Sequence, residues 1–266
     1  MQTPPIDLGS WISRRAAATP HLPAITFGEN TWTYRDFADR VDHLAAELAA
    51  GGMRRGDRVG YAGLNHPDFL VTLFAAARIG AAFVPLNWRL TADELRYILG
   101  NAQVHTLIAD AERATVIDPV RADAGLHRTI ALTPAAGWDV LDELLAGRPA
   151  LTDPVFAEPD DVAIIMYTSG TTGHPKGAML THANLFWNNV NALLSFDTSQ
   201  NDVSLVCAPL FHIGGLNVTT LLTLQKGGRL VILPAFDPTA ALQLIEKHRV
   251  TTMFGVPAMF LFMSQV

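Results

Sequence analysis

A chain of 266 residues, 49% hydrophobic and 17% charged, has the composition of a globular protein with a substantial core, and its length favours more than one compact unit. A net charge of −6 gives it no general attraction to nucleic acid or to an anionic membrane. The single cysteine, Cys207, excludes an intrachain disulfide framework and, inside the apolar run VSLVCAP, reads as a buried core thiol.

The opening MQTPPIDLGS has neither a basic start nor an apolar core, so it does not read as a secretory signal. After TWTY, Thr33 and Asp36 have capping-box spacing, and Tyr34, Phe37, Val41, Leu44 and Leu48 keep one helical face apolar until Gly51-Gly52 stops it. DRVGYAG reads as a strand. Pro67 then opens a helix carrying Phe69, Leu70, Leu73 and Phe74, and AAFVPLN is the next strand. Arg78, Gly80 and Pro85 break this apolar stretch, which therefore does not read as a membrane span. The expected compartment is the cytoplasm, by default.

Thr91 and Glu94 form a second capping pair before Leu95, Ile98 and Leu99, and VHTLIAD is a further strand. The stretch from Ala135 to Asp161, rich in Pro, Gly, Asp and Ala, reads as a surface connection with one short helix around DVLDELLAG. The alternation resumes with strand DVAIIMY, a short GAML segment, and a helix capped by Thr181 that runs to about Leu194. Strand VSLVCAP, a helix from about Leu216, strand RLVILP, helix DPTAALQLIEKH and strand VTTMFGVP follow. Strands alternating with helices imply parallel pairing through crossovers, hence an α/β fold with two lobes of mostly parallel sheet flanked by helices. Pro257 opens a last helix ending AMFLFMSQV, an apolar run with nothing after it to cover it, so the chain is expected to be a fragment.

The run Thr168, Ser169, Gly170, Thr171, Thr172, Gly173 has little side chain to bury and is costly to order. Glycines let backbone N–H groups face an anion, the hydroxyls add donors, Pro175 stiffens the exit and Lys176 supplies a positive charge. The pattern is that of a polyphosphate cradle. It is not a P-loop: Gly170 plus five is Pro175, Lys176 is followed by Gly177 instead of a hydroxyl residue, and the helix starts only near Thr181. No GxGxxG follows a strand, so a dinucleotide site has no support.

YTSGTTGHPKGAMLTHANL closely resembles the signature loop of the adenylate-forming (AMP-binding) superfamily of acyl- and aryl-CoA ligases, luciferases and peptide-synthetase adenylation domains. GDRVGYAGLNHPDFLVTLFAAARIGAAFVPLN resembles the N-terminal core of that family and APLFHIGGL its second motif, and KGGRLVILPAFDP and VTTMFGVPAMF fall in the family order. LGSW, NHP, FDP and FGVPAM are most similar to bacterial feruloyl-CoA synthetase-like and fatty-acyl-CoA ligases. The resemblance implies the large N-terminal domain of such enzymes, truncated. Residues 1–160 would form the first subdomain and 161–266 the start of the second, without the small C-terminal domain.

It also implies an ATP-dependent acid–thiol ligase, acting on a small carboxylic acid, ATP and coenzyme A. Thr168, Ser169, Gly170, Thr171, Thr172, Gly173 and Lys176 would hold the phosphates. His212, at a strand's carboxyl end, would act beside the carboxylate and α-phosphate. Gly214 and Gly215 would leave room for the acyl group or pantetheine arm, and Gly255, Val256 and Met259 would line the acyl pocket. The ligand for Mg2+ is expected beyond residue 266, together with the ribose-binding aspartate and the C-terminal lysine, so this chain alone is not expected to complete adenylation. His174 is expected to face solvent and His182 to help begin a helix. An adenylating enzyme that loads a carrier protein, or a short paralogue that binds nucleotide without catalysis, are the alternatives. Aryl and fatty acids both remain open as substrates.

Overall fold

The computed structural model describes residues 6–168 and 174–266. In chain order the strands are β1 (Pro23–Phe27), β2 (Asn30–Thr33), β3 (Arg58–Ala62), β4 (Ala82–Leu86), β5 (Thr106–Ala109) and β6 (Arg128–Ala131), followed by β7 (Asp139–Val140), β8 (Val162–Thr168), β9 (Lys176–Thr181), β10 (Val203–Val206), β11 (Arg229–Ile232) and β12 (Thr252–Met253). The α-helices are α1 (Trp11–Ala18), α2 (Tyr34–Ala50), α3 (Pro67–Arg78), α4 (Ala92–Ala102) and α5 (Ala111–Ile117), then α6 (Leu141–Leu145), α7 (His182–Ser195), α8 (Leu221–Lys226), α9 (Pro238–His248) and α10 (Pro257–Met263).

The helix starts follow the local chemistry read from the sequence. Asp36 N donates to Thr33 Oγ1 at 3.2 Å while Thr33 N donates to Asp36 Oδ2 at 2.8 Å, and these bonds hold the Asp36 carboxyl below the usual carboxylate range. Thr91 and Glu94 close the same reciprocal box at the head of α4. Asp237 caps α9 by accepting from Ala240 N at 2.7 Å, with Pro238 at the first helical position. The apolar face of α2 is buried at Phe37, Val41, Leu44 and Leu48. Among the described residues no helix is long and apolar enough to cross a membrane.

The chain divides into two compact units. One contains residues 6–9, Asp39–Gly63 and Val71–Asn184, and is built on a seven-stranded sheet of order β7-β6-β5-β3-β4-β8-β9. All pairings in it are parallel except β8 with β9. Its central strands β4 and β5 are buried along their whole length, as parallel strands covered on both faces should be. The other unit contains Ser10–Ala38, Leu64–Leu70 and Leu185–Val266, with a five-stranded sheet of order β12-β10-β11-β1-β2. Here only β1 with β2 is antiparallel. The chain thus has the expected α/β class, mostly parallel sheets flanked by helices.

β8 hydrogen-bonds to β4 (Ile164 opposite Phe83) and carries β9 into the first sheet with it. Two features go beyond the sequence reading. The 135–161 stretch is more than a connection: Val140 pairs with Ala131, Trp138 is buried with its indole N–H on Asp118 Oδ1 at 2.7 Å, and Leu141 and Leu145 are core. GAML is the middle of an antiparallel strand, β9. Within the first unit His182, the first residue of α7, is buried and its Nδ1 accepts from Leu8 N at 3.1 Å. Burial lowers its pKa to about 4, so the ring is neutral with its proton on Nε2.

Candidate functional site

In the first unit the glycine-rich segment connects the two arms of a β-hairpin. Thr168, the last residue of β8, lies opposite Lys176, the first of β9. Ser169, Gly170, Thr171, Thr172 and Gly173 lie outside the described residues. Both flanking side chains are exposed, and among the described residues the Lys176 ammonium makes neither hydrogen bond nor ion pair. An exposed, uncompensated ammonium at the exit of a glycine- and hydroxyl-rich connection can receive an anion. Next to it, Gly177 permits close packing of the hairpin, since a Cβ there would lie 2.9 Å from Ile165 Cγ2 and 3.1 Å from the Tyr167 ring.

Two contacts that the sequence reading missed anchor this hairpin. Tyr167 Oη donates to Asn101 Oδ1 at 2.5 Å, and burial pushes the phenol pKa up, so it stays protonated as that donor. His174, exposed as expected, stacks on Tyr97 with ring centroids 4.6 Å apart. Tyr97 and Asn101 are one helical turn apart on α4, a pairing that spacing would have offered had the partner strand been known.

In the second unit the parallel strands β10, β11 and β12 end on one side, where open α/β sheets place their ligands. Beyond β10 the chain passes through Cys207 and Ala208 into a turn in which His212 N donates to Pro209 O at 3.1 Å. His212 is exposed, and its carbonyl accepts from Leu216 N at 3.1 Å at the start of a π-helical segment, Gly214–Thr220, that leads into α8. Such π-turns recur at functional sites. Cys207 is buried as read from the sequence, and burial pushes its thiol up to about 11, which leaves it unreactive.

A Cβ on Gly215 would collide with the Pro209 carbonyl oxygen, and one on Gly214 would lie 2.6 Å from Cζ of Phe254, so neither position has room for a larger side chain. Phe254 brings the Gly214 turn together with Gly255. A cavity of about 360 Å3 lies along this junction, lined by Phe254, Gly255, Phe260, Leu222, Thr219 and Phe196 among others. Gly255 is part of its lining. Met259 does not line the cavity; it is buried in the core cluster with Leu205, Cys207 and Val231. Val256 is about half exposed and also lies off the cavity.

A family model described as AMP-binding enzyme matches residues 12–265. The chain belongs to the AMP-binding enzyme family. Feruloyl-CoA synthase of an Amycolatopsis species is 45% identical over 253 residues, covering 95% of this chain and 49% of its own length. Indoleacetate–CoA ligase of Aromatoleum aromaticum is 40% identical, covering 95% of this chain and 50% of its own. Among solved structures, the inhibitor-bound N-terminal domain of FACL13 from Mycobacterium tuberculosis superposes with a TM-score of 0.89 at 33% identity, over 98% of this chain and 65% of that one. ATP-bound MatB from Rhodopseudomonas palustris gives 0.86 at 30% identity, over 97% and 51%. This chain spans about half the length of the curated relatives it matches.

Proposed function

We propose that this chain is the N-terminal part of an ATP-dependent acyl-CoA ligase. The observation that carries the reading is the hairpin. It sets Thr168 opposite Lys176 at the two ends of a segment of glycines and hydroxyls, and among the described residues the ammonium has no partner. In the first half-reaction a carboxylate oxygen attacks the α-phosphorus of ATP, and the bond to the β-phosphate bridging oxygen breaks. Lys176 and the 168–173 segment hold the β- and γ-phosphates that depart as pyrophosphate. Catalysis here is chiefly positioning and neutralisation of charge as it develops. His212, exposed at the carboxyl end of β10, is assigned to the carboxylate and α-phosphate. In the second half-reaction the coenzyme A thiolate attacks the acyl carbon and AMP leaves. Magnesium accompanies the triphosphate when bound and supplies further neutralisation; no ligand from this chain is assigned to it.

The cavity beside Gly255 suits the acyl group, with aromatic walls at Phe196, Phe254 and Phe260 and hydroxyls such as Thr219 on its lining. ATP–pyrophosphate exchange with a panel of aryl and fatty acids tests the reading on the whole protein that carries this chain. Exchange dependent on one acid class is expected. Absence of exchange with every acid, from folded protein with magnesium present, would overturn the ligase assignment. Residues 1–266 alone are expected to support no exchange in the same assay.

A further inference from the structure

Asn65 has no part in the chemistry above, yet its side chain bonds to backbone on either side of Pro209, at the start of the His212 turn. It is buried, 5% exposed, at the start of the Leu64–Leu70 segment of the second unit. Its Nδ2 donates to Ala208 O at 3.1 Å and to Leu233 O at 3.2 Å, and its Oδ1 accepts from Leu210 N at 2.9 Å. Its own N–H donates to Pro234 O at 3.0 Å. One amide thus ties together the residues that leave β10 and those that leave β11, where the ladder between the two strands has ended.

Only an amide of this length meets the requirement. A carboxylate could accept from Leu210 N but would repel the two carbonyls, and an aliphatic side chain would leave a buried N–H and two buried carbonyls unpaired. The bonds converge on Ala208 and Leu210, either side of Pro209. Pro209 is the residue whose carbonyl accepts from His212 N and against which Gly215 packs. Among the described residues the His212 imidazole has no hydrogen bond of its own, its nearest ring being Phe211 at 6.4 Å. Its place is therefore set by the backbone of the 208–212 turn, and that backbone is set by Asn65 on one side and Gly215 on the other.

We propose that Asn65 is a positioning residue for His212. It fixes the ends of β10 and β11 so that the turn presents the imidazole at the carboxyl edge of the sheet. The catalytic consequence rests on the ligase reading above; the geometric one does not.

The test uses the whole protein, with Asn65→Ala and Asn65→Asp made alone and together with His212→Ala. The readouts are ATP–pyrophosphate exchange per folded enzyme and the imidazole resonances of 13C-histidine-labelled protein. Asn65→Ala is expected to lower the exchange kcat about tenfold when His212 is present and less than about twofold when it is absent, the non-additivity of residues that act as a unit. Asn65→Asp, which keeps the shape and the acceptor, is the variant to read if the alanine form does not fold. Both variants are expected to move the His212 resonance and leave that of exposed His21 in place. Equal losses in the two backgrounds, or a His212 resonance that stays put in folded variant, would overturn the proposal. If the wild-type protein shows no exchange with any acid, the ligase reading fails, and the resonance alone decides the positioning role.

Discussion

At Gly215 the π-helical turn lies directly against the carbonyl of Pro209, and no side chain can share that volume. At Gly214 the obstacle is the edge of the Phe254 ring, which can rotate or shift. The two glycines look alike in sequence, and both had been read as open space. Their neighbours make them different. Gly215→Ala is expected to destabilise the folded chain by about 1–3 kcal/mol through overpacking against rigid backbone, and Gly214→Ala by clearly less. Urea unfolding of the two variants beside the wild type checks this. Equal midpoints for all three would mean that the turn accommodates a methyl group and that Gly215 is not held as described. His212, by contrast, was singled out from the sequence by its place after a buried strand together with the resemblance of APLFHIGGL to the family's second motif. Asn65 could not be. Its value lies entirely in three backbone groups far along the chain, and nothing in its own neighbourhood announces them.

Among the elements, those with local instructions were legible and those without were not. The reciprocal bonds of Thr91 with Glu94, and of Thr33 with Asp36, appear where the spacing put them, because both partners sit within four residues. Thr91→Ala is expected to cost about 1 kcal/mol, measured as a lowered urea midpoint, and to remove the hydroxyl bond to the Glu94 carboxyl while leaving the backbone N–H bond that is the larger cause of its lowered pKa. A 13C titration of Glu94 should show its pKa rising part of the way in the variant; an unchanged value would remove the Thr91 hydroxyl as one of its causes. Strand β9 had no comparable signal. Lys-Gly-Ala-Met-Leu-Thr does not alternate and has one β-branched residue, Thr181, at its end, Met179 is mostly exposed, and the segment is a strand because β8 supplies the partner. The short strands β6 and β7 are likewise defined by their pairing.

For the molecule as a whole, acid should weaken folding through His182. Its folded pKa of about 4 lies below the ordinary histidine value of 6.5, so the unfolded chain binds more protons between those limits. The stability it contributes is complete above about pH 6.5 and is lost as pH falls towards about 4, to an extent of about 3 kcal/mol. His105 and His248 are also lowered, chiefly by burial, and act in the same direction, so the variant isolates the effect. His182→Gln, which keeps an acceptor near Leu8 N, should show a shallower fall in stability between pH 6.5 and 4.5 than the wild type. Parallel curves would remove His182 from the acid response. The sequence had given this histidine only the role of beginning a helix; its burial against Leu8, 174 positions away, is a tertiary fact.

Properties encoded within a few neighbouring residues were determined by the sequence alone: the α/β alternation, the helix caps and the buried thiol. They depend on backbone propensity, short side-chain reach and hydrophobic period, all of which act locally. The tertiary structure decided everything that joins distant residues. Ile25 pairs with Leu230, Asn65 clasps two strand ends, and Pro209 and Phe254 fill the space beside Gly215 and Gly214. Those choices rest on complementary surfaces and on backbone groups left unpaired at strand ends, which become neighbours only when the chain is packed.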